Sequence, residues 1–313
     1  MREMPPSGQS ALAEPYPFER VRQTSRKLLR LFPMILRIFQ RWPIIAVAIL
    51  GLLAIMGIFA PFLAPHDPIK PDLKAVTVPP MWLAGGSGKH ILGTDQIGRD
   101  ILSRLIYGAR VSLMVVTIAT ATGLFVGAFM GLAAGYFGGL LDEVLMRIVD
   151  ISMAIPFILI ALVVVVAIGQ SFAVLMGVLA LSAWAHYVRN TRAEVLSLKE
   201  RDYVALAKIA NASAWRIMFR HILPGVINTV IVIATLRVGH LIITEAILSF
   251  LGAGVPPPTP TWGVMVSDGR SYLASAWWIC LFPGLAILLV VMAFNFLGDW
   301  FRDRFDPRLR QLQ

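Results

Sequence analysis

Residues able to do chemistry are few in this chain and widely scattered. The soft donors are five histidines (His66, His90, His186, His221 and His240) and the single Cys280. None of the histidines stands in the HxxxH or HExxH spacing that puts two imidazoles on one helix face for zinc. One cysteine also excludes an intramolecular disulfide and a thiolate cluster. No Gly-x-Ser-x-Gly elbow is present, and no pair of carboxylates shares one apolar segment for acid–base work. Gly85-Gly86-Ser87-Gly88-Lys89-His90 imitates a phosphate-cradling loop, but Leu83 stands where the first glycine belongs and no Ser or Thr follows Lys89. The chain is therefore expected to catalyse nothing, to hold no metal and to bind no ATP through a loop of its own.

A different kind of polar group remains. Arg237, His240, Thr244 and Glu245 interrupt a long apolar run, and at 100° per residue they fall within about 140° of one another on a helix. A charge at the centre of a bilayer costs about 2.5–3.5 kcal/mol on insertion scales, so this face must meet water or another helix. Either it lines a path for a polar solute or an Arg237–Glu245 pair cements a subunit contact.

Composition gives the setting. Of 313 residues, 57% are hydrophobic and 15% charged, against roughly 25% charged in soluble domains, and the mean hydropathy is +0.73. A soluble globule of this length cannot hide so much apolar surface, which excludes soluble enzymes and disordered chains. The net charge of +10 is expected to follow cytoplasmic loops and lipid headgroups, not nucleic acid.

About 20 apolar residues cross the hydrocarbon core as a helix, and charge-free stretches place about six such spans in an all-α integral membrane fold. The first runs over 44–64 and the second over about 112–134, ending in a Gly-rich turn at 135–139. Residues 151–188 divide at Gly169-Gln170-Ser171 into two helices of about 18 residues. The fifth span covers about 226–250 and the sixth about 278–298. Basic residues cluster before the first span, between the fourth and fifth, and after the sixth, so these segments and both termini are expected in the cytoplasm. The external loop 65–110 fits this rule badly, because Lys70, Lys74, Lys89, Arg99, Arg104 and Arg110 are only partly balanced by Asp67, Asp72, Asp95 and Asp100. Asp95, Arg99, Asp100 and Arg104 are expected to pair with one another in a compact cap, or to touch a partner protein. Residues 1–43 read as a basic tail, with 1–20 disordered and an interfacial helix carrying Arg26, Arg30, Arg37 and Arg41 on one face. The core domain is then 111–299, and 300–313 is a cytoplasmic tail.

The segment 190–224 is the most informative. Ala193 to Ala210 predicts an amphipathic helix, Asn211-Ala212-Ser213 a turn with Ser213 as N-cap, and Ala214 to Ile222 a second helix stopped by Pro224. Small residues at Ala205, Ala207, Ala210 and Ala212 suit close approach by another protein.

Tyr203-Val204-Ala205-Leu206-Ala207, then Asn211-Ala212-Ser213, then Arg220-His221-Ile222-Leu223-Pro224 resembles the EAA loop of ABC importer permeases. Ala205 replaces that family's usual Glu, and Asn211 its usual Gly. Asn tolerates the left-handed backbone that Gly would supply. His90-Ile91-Leu92-Gly93-Thr94-Asp95-Gln96-Ile97-Gly98-Arg99-Asp100 through Arg104, and Glu245 to Gly252 followed by Pro256-Pro257-Pro258 and Trp262-Gly263, narrow the resemblance. They are similar to the C-type permease subunit of dipeptide, oligopeptide and nickel importers, as is the ending from Gly298-Asp299 to Leu309. The resemblance implies a type I importer permease fold in a bacterial inner membrane. It implies as partners a homologous permease, two cytoplasmic ATPases that bind the ATP and magnesium, and an external solute-binding protein. It assigns Tyr203 to Ala207, Asn211 to Ser213, Leu223 and Pro224 to ATPase docking, and Gly93, Thr94, Asp95, Gly98, Arg99, Asp100 and Arg104 to an external signature. It leaves the solute open among dipeptide, longer peptide, nickel and others. The rival readings are an ion-coupled secondary transporter, which should show midplane carboxylates and broken helices in matched halves, and an intramembrane enzyme, which lacks its acid, base or nucleophile.

Overall fold

Helix boundaries follow the capping and proline chemistry of the chain. In the computed structural model, residues 43–305 are described, and among them the ordered elements are helices plus one isolated bridge between Thr94 and Asp100. The expected basic tail, interfacial helix and last eight residues lie outside the described residues.

Helix α1, Ile44–Ile58, ends at Phe59, and α2, Ala60–Leu63, restarts with proline in its first turn. The expected first span is thus two pieces, and α1 alone is about 22 Å long. A turn-rich segment follows, with Gly98 at φ +81°, where a Cβ would stand 1.8 Å from the Asp72 carbonyl oxygen. Only glycine fits there.

Asp100 opens α3, Ile101–Phe137, by accepting from the Ser103 N–H. This rod of 37 residues is roughly 55 Å long and exceeds the hydrocarbon core of about 30 Å. The last ten residues of the expected loop 65–110 are therefore helix.

The third span also differs from its expected form. Helix α4, Gly139–Ala154, and α5, Phe157–Ile168, meet at an 88° bend. Pro156 has no N–H to donate and forces Ile155 into extended geometry (φ −91°, ψ 131°). The 12 residues of α5 are too short to cross alone.

Gly169, at φ +101°, ends α5, and Ser171 caps α6, Phe172–Lys199, by accepting from the Val174 N–H. Because α6 runs to Lys199, the expected helix 193–210 is split, and its second part is α7, Asp202–Ile209. After a turn the chain forms Ala214–Arg216 and a π-helical stretch, Ile217–Ile222. It then continues directly into α8, Leu223–Phe250. Pro224 does not stop the helix. It sits in the first turn of α8, where the preceding wide π turn, closed by Leu223 N–H to the Met218 carbonyl, relieves the clash a proline ring makes with the turn before it. Helix α9, Trp262–Gly269, is capped by Thr261, and α10, Trp278–Phe305, closes the bundle.

Four helical runs are long and apolar enough to cross a membrane: α3, α6, residues 214–250 and α10. The α4–α5 pair makes a fifth if it is one span, and α1 is a shorter apolar helix, so the expected six requires both.

The tightest packing joins α3 to α6. Gly123, Gly127, Gly131 and Gly135 recur every four residues along the facing side of α3. A Cβ at Gly127 would stand 2.5 Å from Tyr187 Cβ and 2.6 Å from the Trp184 carbonyl oxygen, and one at Gly131 2.6 Å from the Val188 carbonyl oxygen. Small residues let two helix backbones approach where lipid gives no hydrophobic drive to association.

Replacing Gly127 with Ala should destabilise the bundle by about 1–3 kcal/mol, the usual cost of overpacking. Gly177→Ala, at a site with nothing within 4 Å, should be neutral. Thermal unfolding of both variants in detergent checks this, and equal melting temperatures would contradict the packing account.

Candidate functional site

Three polar or apolar assemblies stand out, two at opposite ends of the bundle and one between α5, α6 and α8. At the first end, the chain between α2 and α3 packs against α9 and α10. Trp278 Nε1 donates to the Thr94 carbonyl at 3.1 Å, and Trp262 Nε1 to the Leu105 carbonyl at 2.9 Å. Gly93 passes close to the Val78 carbonyl and Trp278, and Thr94 Oγ1 accepts from the Val78 N–H. Asp95 accepts from the backbone of Ile97 and Arg99 and from Arg99 Nε at 2.6 Å. Arg104, 2% exposed, lies 3.6 Å from both Asp95 and Asp268, and Arg99 reaches Asp268 at 3.3 Å. Two arginines thus share two aspartates, an arrangement in which loss of one member leaves a buried charge uncompensated.

This corrects the expected pairing among Asp95, Arg99, Asp100 and Arg104. Asp100 stands apart, because its Oδ2 is taken by the N–H and hydroxyl of Ser103 at 2.8 and 2.7 Å, while Oδ1 faces His90 Nδ1 at 3.0 Å. Asp268 fills its place. It comes from α9, more than 160 residues away, and no local spacing announces it.

Between α5, α6 and α8 lies a cavity of about 80 Å³ lined by Phe157, Ser182, Ala183, His186, Arg237, His240, Leu241 and Thr244. A larger one of about 380 Å³ adjoins it at the α4–α5 bend, sharing Phe157, Ser182 and His186. Three of the four polar residues expected on α8 therefore meet here, with Thr244 Oγ1 3.1 Å from His240 Nδ1. Glu245 does not join them. It is buried and accepts from Ser249 Oγ at 2.6 Å. Among the described residues Arg237 and Glu245 form no ion pair, since eight residues of helix separate them by about 12 Å. Ser182 was not singled out in the sequence, and His186 stood there only as one of five histidines, although their spacing of four on one helix face was visible.

At the opposite end, Lys199 Nζ donates to the Tyr136 carbonyl at 2.9 Å, and Arg192 donates to both oxygens of Asp142 through Nε and Nη2, the latter at 2.6 Å. Helix α7 ends in a Schellman turn: the Ala212 N–H reaches the Ala207 carbonyl, the Asn211 N–H reaches the Lys208 carbonyl, and Asn211 takes φ +55°. Ser213 then caps the next turn by accepting from the Arg216 N–H.

The helical period sorts the residues of α7 into two faces. Val204 and Ala207 point inward, onto Leu132, Val195, Ile217, Met218 and Ile222, and Ala212 and Leu223 pack against the same cluster. Tyr203, Leu206 and Ile209, spaced by three, point out, with Leu206 64% and Ile209 81% exposed. Ala205, Asn211, Ser213 and Pro224 are exposed too. Trp215 and Phe219 are exposed as well and form a stacked pair with centroids 5.4 Å apart. Of the small residues expected to form the approach surface, Ala205 and Ala210 are exposed, whereas Ala207 fits into the chain's own core and Ala212 packs against it. Large apolar residues of the same helix are also left uncovered.

A family model for the inner membrane component of binding-protein-dependent transport systems matches residues 123–311. The chain belongs to that family. Within it, the chain is 47% identical over 269 residues to the dipeptide transport system permease protein of Escherichia coli, covering 84% of this chain and 90% of that one. It is 42% identical over 271 residues to the protein of that name in Haemophilus influenzae, covering 87% and 92%. It is 42% identical over 226 residues to the glutathione transport system permease protein of Pectobacterium atrosepticum, covering 72% and 75%. The chain is a multi-pass inner-membrane permease subunit of an ABC importer, and its work is transport, not catalysis.

The inward position of Ala207 gives this permease a testable asymmetry. Ala207→Arg should loosen the 200–222 segment by forcing a charge into its core, and limited proteolysis should then cut there. Ile209→Arg, on the outward face, should leave the digestion pattern unchanged. Equal susceptibility of the two variants would contradict the two-faced reading of α7.

Proposed function

We propose that this permease imports peptides or a related small solute, driven by ATP hydrolysis in separate subunits. The supporting observation is the uncovered stripe of Tyr203, Leu206 and Ile209, with Trp215 and Phe219 also exposed in the next helical segment, in a chain whose relatives are named as dipeptide and glutathione permeases. Covering an exposed Leu or Ile is worth about 1.5–3 kcal/mol. The stripe therefore suits a groove on a partner ATPase. Two ATPases hold the ATP and magnesium, a homologous permease completes the path, and an external binding protein delivers the solute.

In this reading the end carrying α7 and both termini are cytoplasmic, and the end carrying Asp95 and Arg104 is external. Closure of the ATPase dimer pushes α7 and, through the helical connection at residues 214–222, tilts α8 against α6. The cavity between those helices is the path, with Arg237, His240, Thr244 and His186 as its polar lining. Glu245 is a packing residue. The secondary-transporter reading fits less well, since the described residues contain one bent pair of helices and no matched second break.

Proteoliposomes containing the permease pair, the ATPases and the binding protein should take up labelled dipeptide when ATP is supplied and no ion gradient is present. Ile209→Arg should insert normally and lower ATP-dependent uptake at least about tenfold, the effect of losing roughly 1.4 kcal/mol at the contact. Uptake driven by an ion gradient without ATPases would overturn the assignment.

A further inference from the structure

Among the described residues no arginine or lysine pairs with Asp100. Arg99 and Arg104, its neighbours in sequence, serve Asp95 and Asp268, and the ion-pair partners of Asp100 among the described residues are His66 and His90 alone. We propose that His66, His90 and Asp100 form a binding site for one divalent first-row transition-metal ion, which clips the segment between α2 and α3 to the start of α3.

The geometry is that of a ligand set. One donor atom from each residue lies within 4.8 Å of the other two. His90 Nδ1 stands 3.0 Å from Asp100 Oδ1 and His66 Nδ1 3.7 Å from Oδ2, with the two imidazole centroids 4.7 Å apart. Bonds of about 2.0–2.2 Å at tetrahedral or octahedral angles place neighbouring donors about 2.8–3.6 Å apart; His90 Nδ1 and Asp100 Oδ1 already stand at that spacing, and His66 moves toward them to complete the set.

The surroundings hold the carboxylate as metal sites hold theirs. Ser103 donates its N–H and hydroxyl to Asp100 Oδ2, and its Oγ accepts from the His66 N–H at 3.0 Å. The Asp100 side chain is 1% exposed and that of His66 39%, so the ion has a buried floor and a solvent-accessible side. Two imidazoles and one carboxylate favour zinc and its neighbours over calcium or magnesium. The three positions, 66, 90 and 100, come from separate turns and match no short spacing motif. For that reason the sequence alone gives the opposite expectation.

The assembled complex, carrying no polyhistidine tag and stripped with chelator, should bind one more equivalent of Zn²⁺ per permease chain than the same complex with His66→Ala or His90→Ala. Either variant should weaken that equivalent at least about tenfold in a calorimetric titration. Zn²⁺ should raise the melting temperature of the parent complex and of neither variant, while Ca²⁺ should do neither. Identical zinc uptake by the parent and both variants, or none by any, would overturn the site and leave a plain histidine–carboxylate network.

Discussion

The close approach of α3 and α6 through Gly123, Gly127, Gly131 and Gly135 is the constraint on which the other features rest. It fixes two long helices against each other over most of their length. At one end α3 begins at Asp100, where the segment from α2 is anchored, and at the other Leu132 lies under the α7 segment. Along α6 the same contact sets Ser182 and His186 toward α8 and brings Lys199 to the Tyr136 carbonyl, where the helix stops. The polar cavity and the outward patch therefore hang on one rigid pair. Because the contact is made by backbone and Cβ atoms, it has little side-chain freedom to absorb a change.

Electrostatics divide in the same way. The Asp95–Arg99–Arg104–Asp268 cluster is closed on itself, with two charges of each sign, so its role is to hold α9 against the start of α3. The cavity is different. Arg237 stands there beside His186, His240 and Thr244 with no carboxylate among its lining residues. A half-buried cation with no ion-pair partner among the described residues suits a surface that meets water, a solute or another subunit.

Most of the fold was legible because apolar runs and caps speak locally. Gly169 and Ser171 mark the hairpin, and Asn211 adopts the left-handed turn its side chain tolerates. Pro156 and Pro224 show the limit: the first breaks a span that hydropathy alone joins, and the second starts a helix it was expected to stop, because a π turn precedes it. The glycine stripe on α3 was visible as a four-residue repeat and went unread. Asp268 and the meeting of His66 with His90 and Asp100 were not legible, since tertiary contact alone unites them. The segment proposed for docking stands out in the sequence by its helix-turn-helix pattern and small residues, and then by its resemblance. Its outward face needed the structure, because period 3.6 decides whether Ala207 or Ile209 is exposed.

The central claim is that the outward face of α7 meets an ATPase. Short-range cysteine cross-linking in the assembled complex, after replacement of Cys280, tests it most directly. Ile209→Cys should join the permease to a cysteine placed in the ATPase groove, in a yield that changes when ATP is added, while Ala207→Cys should give no adduct. Cross-linking at Ala207 and none at Ile209 would contradict the account.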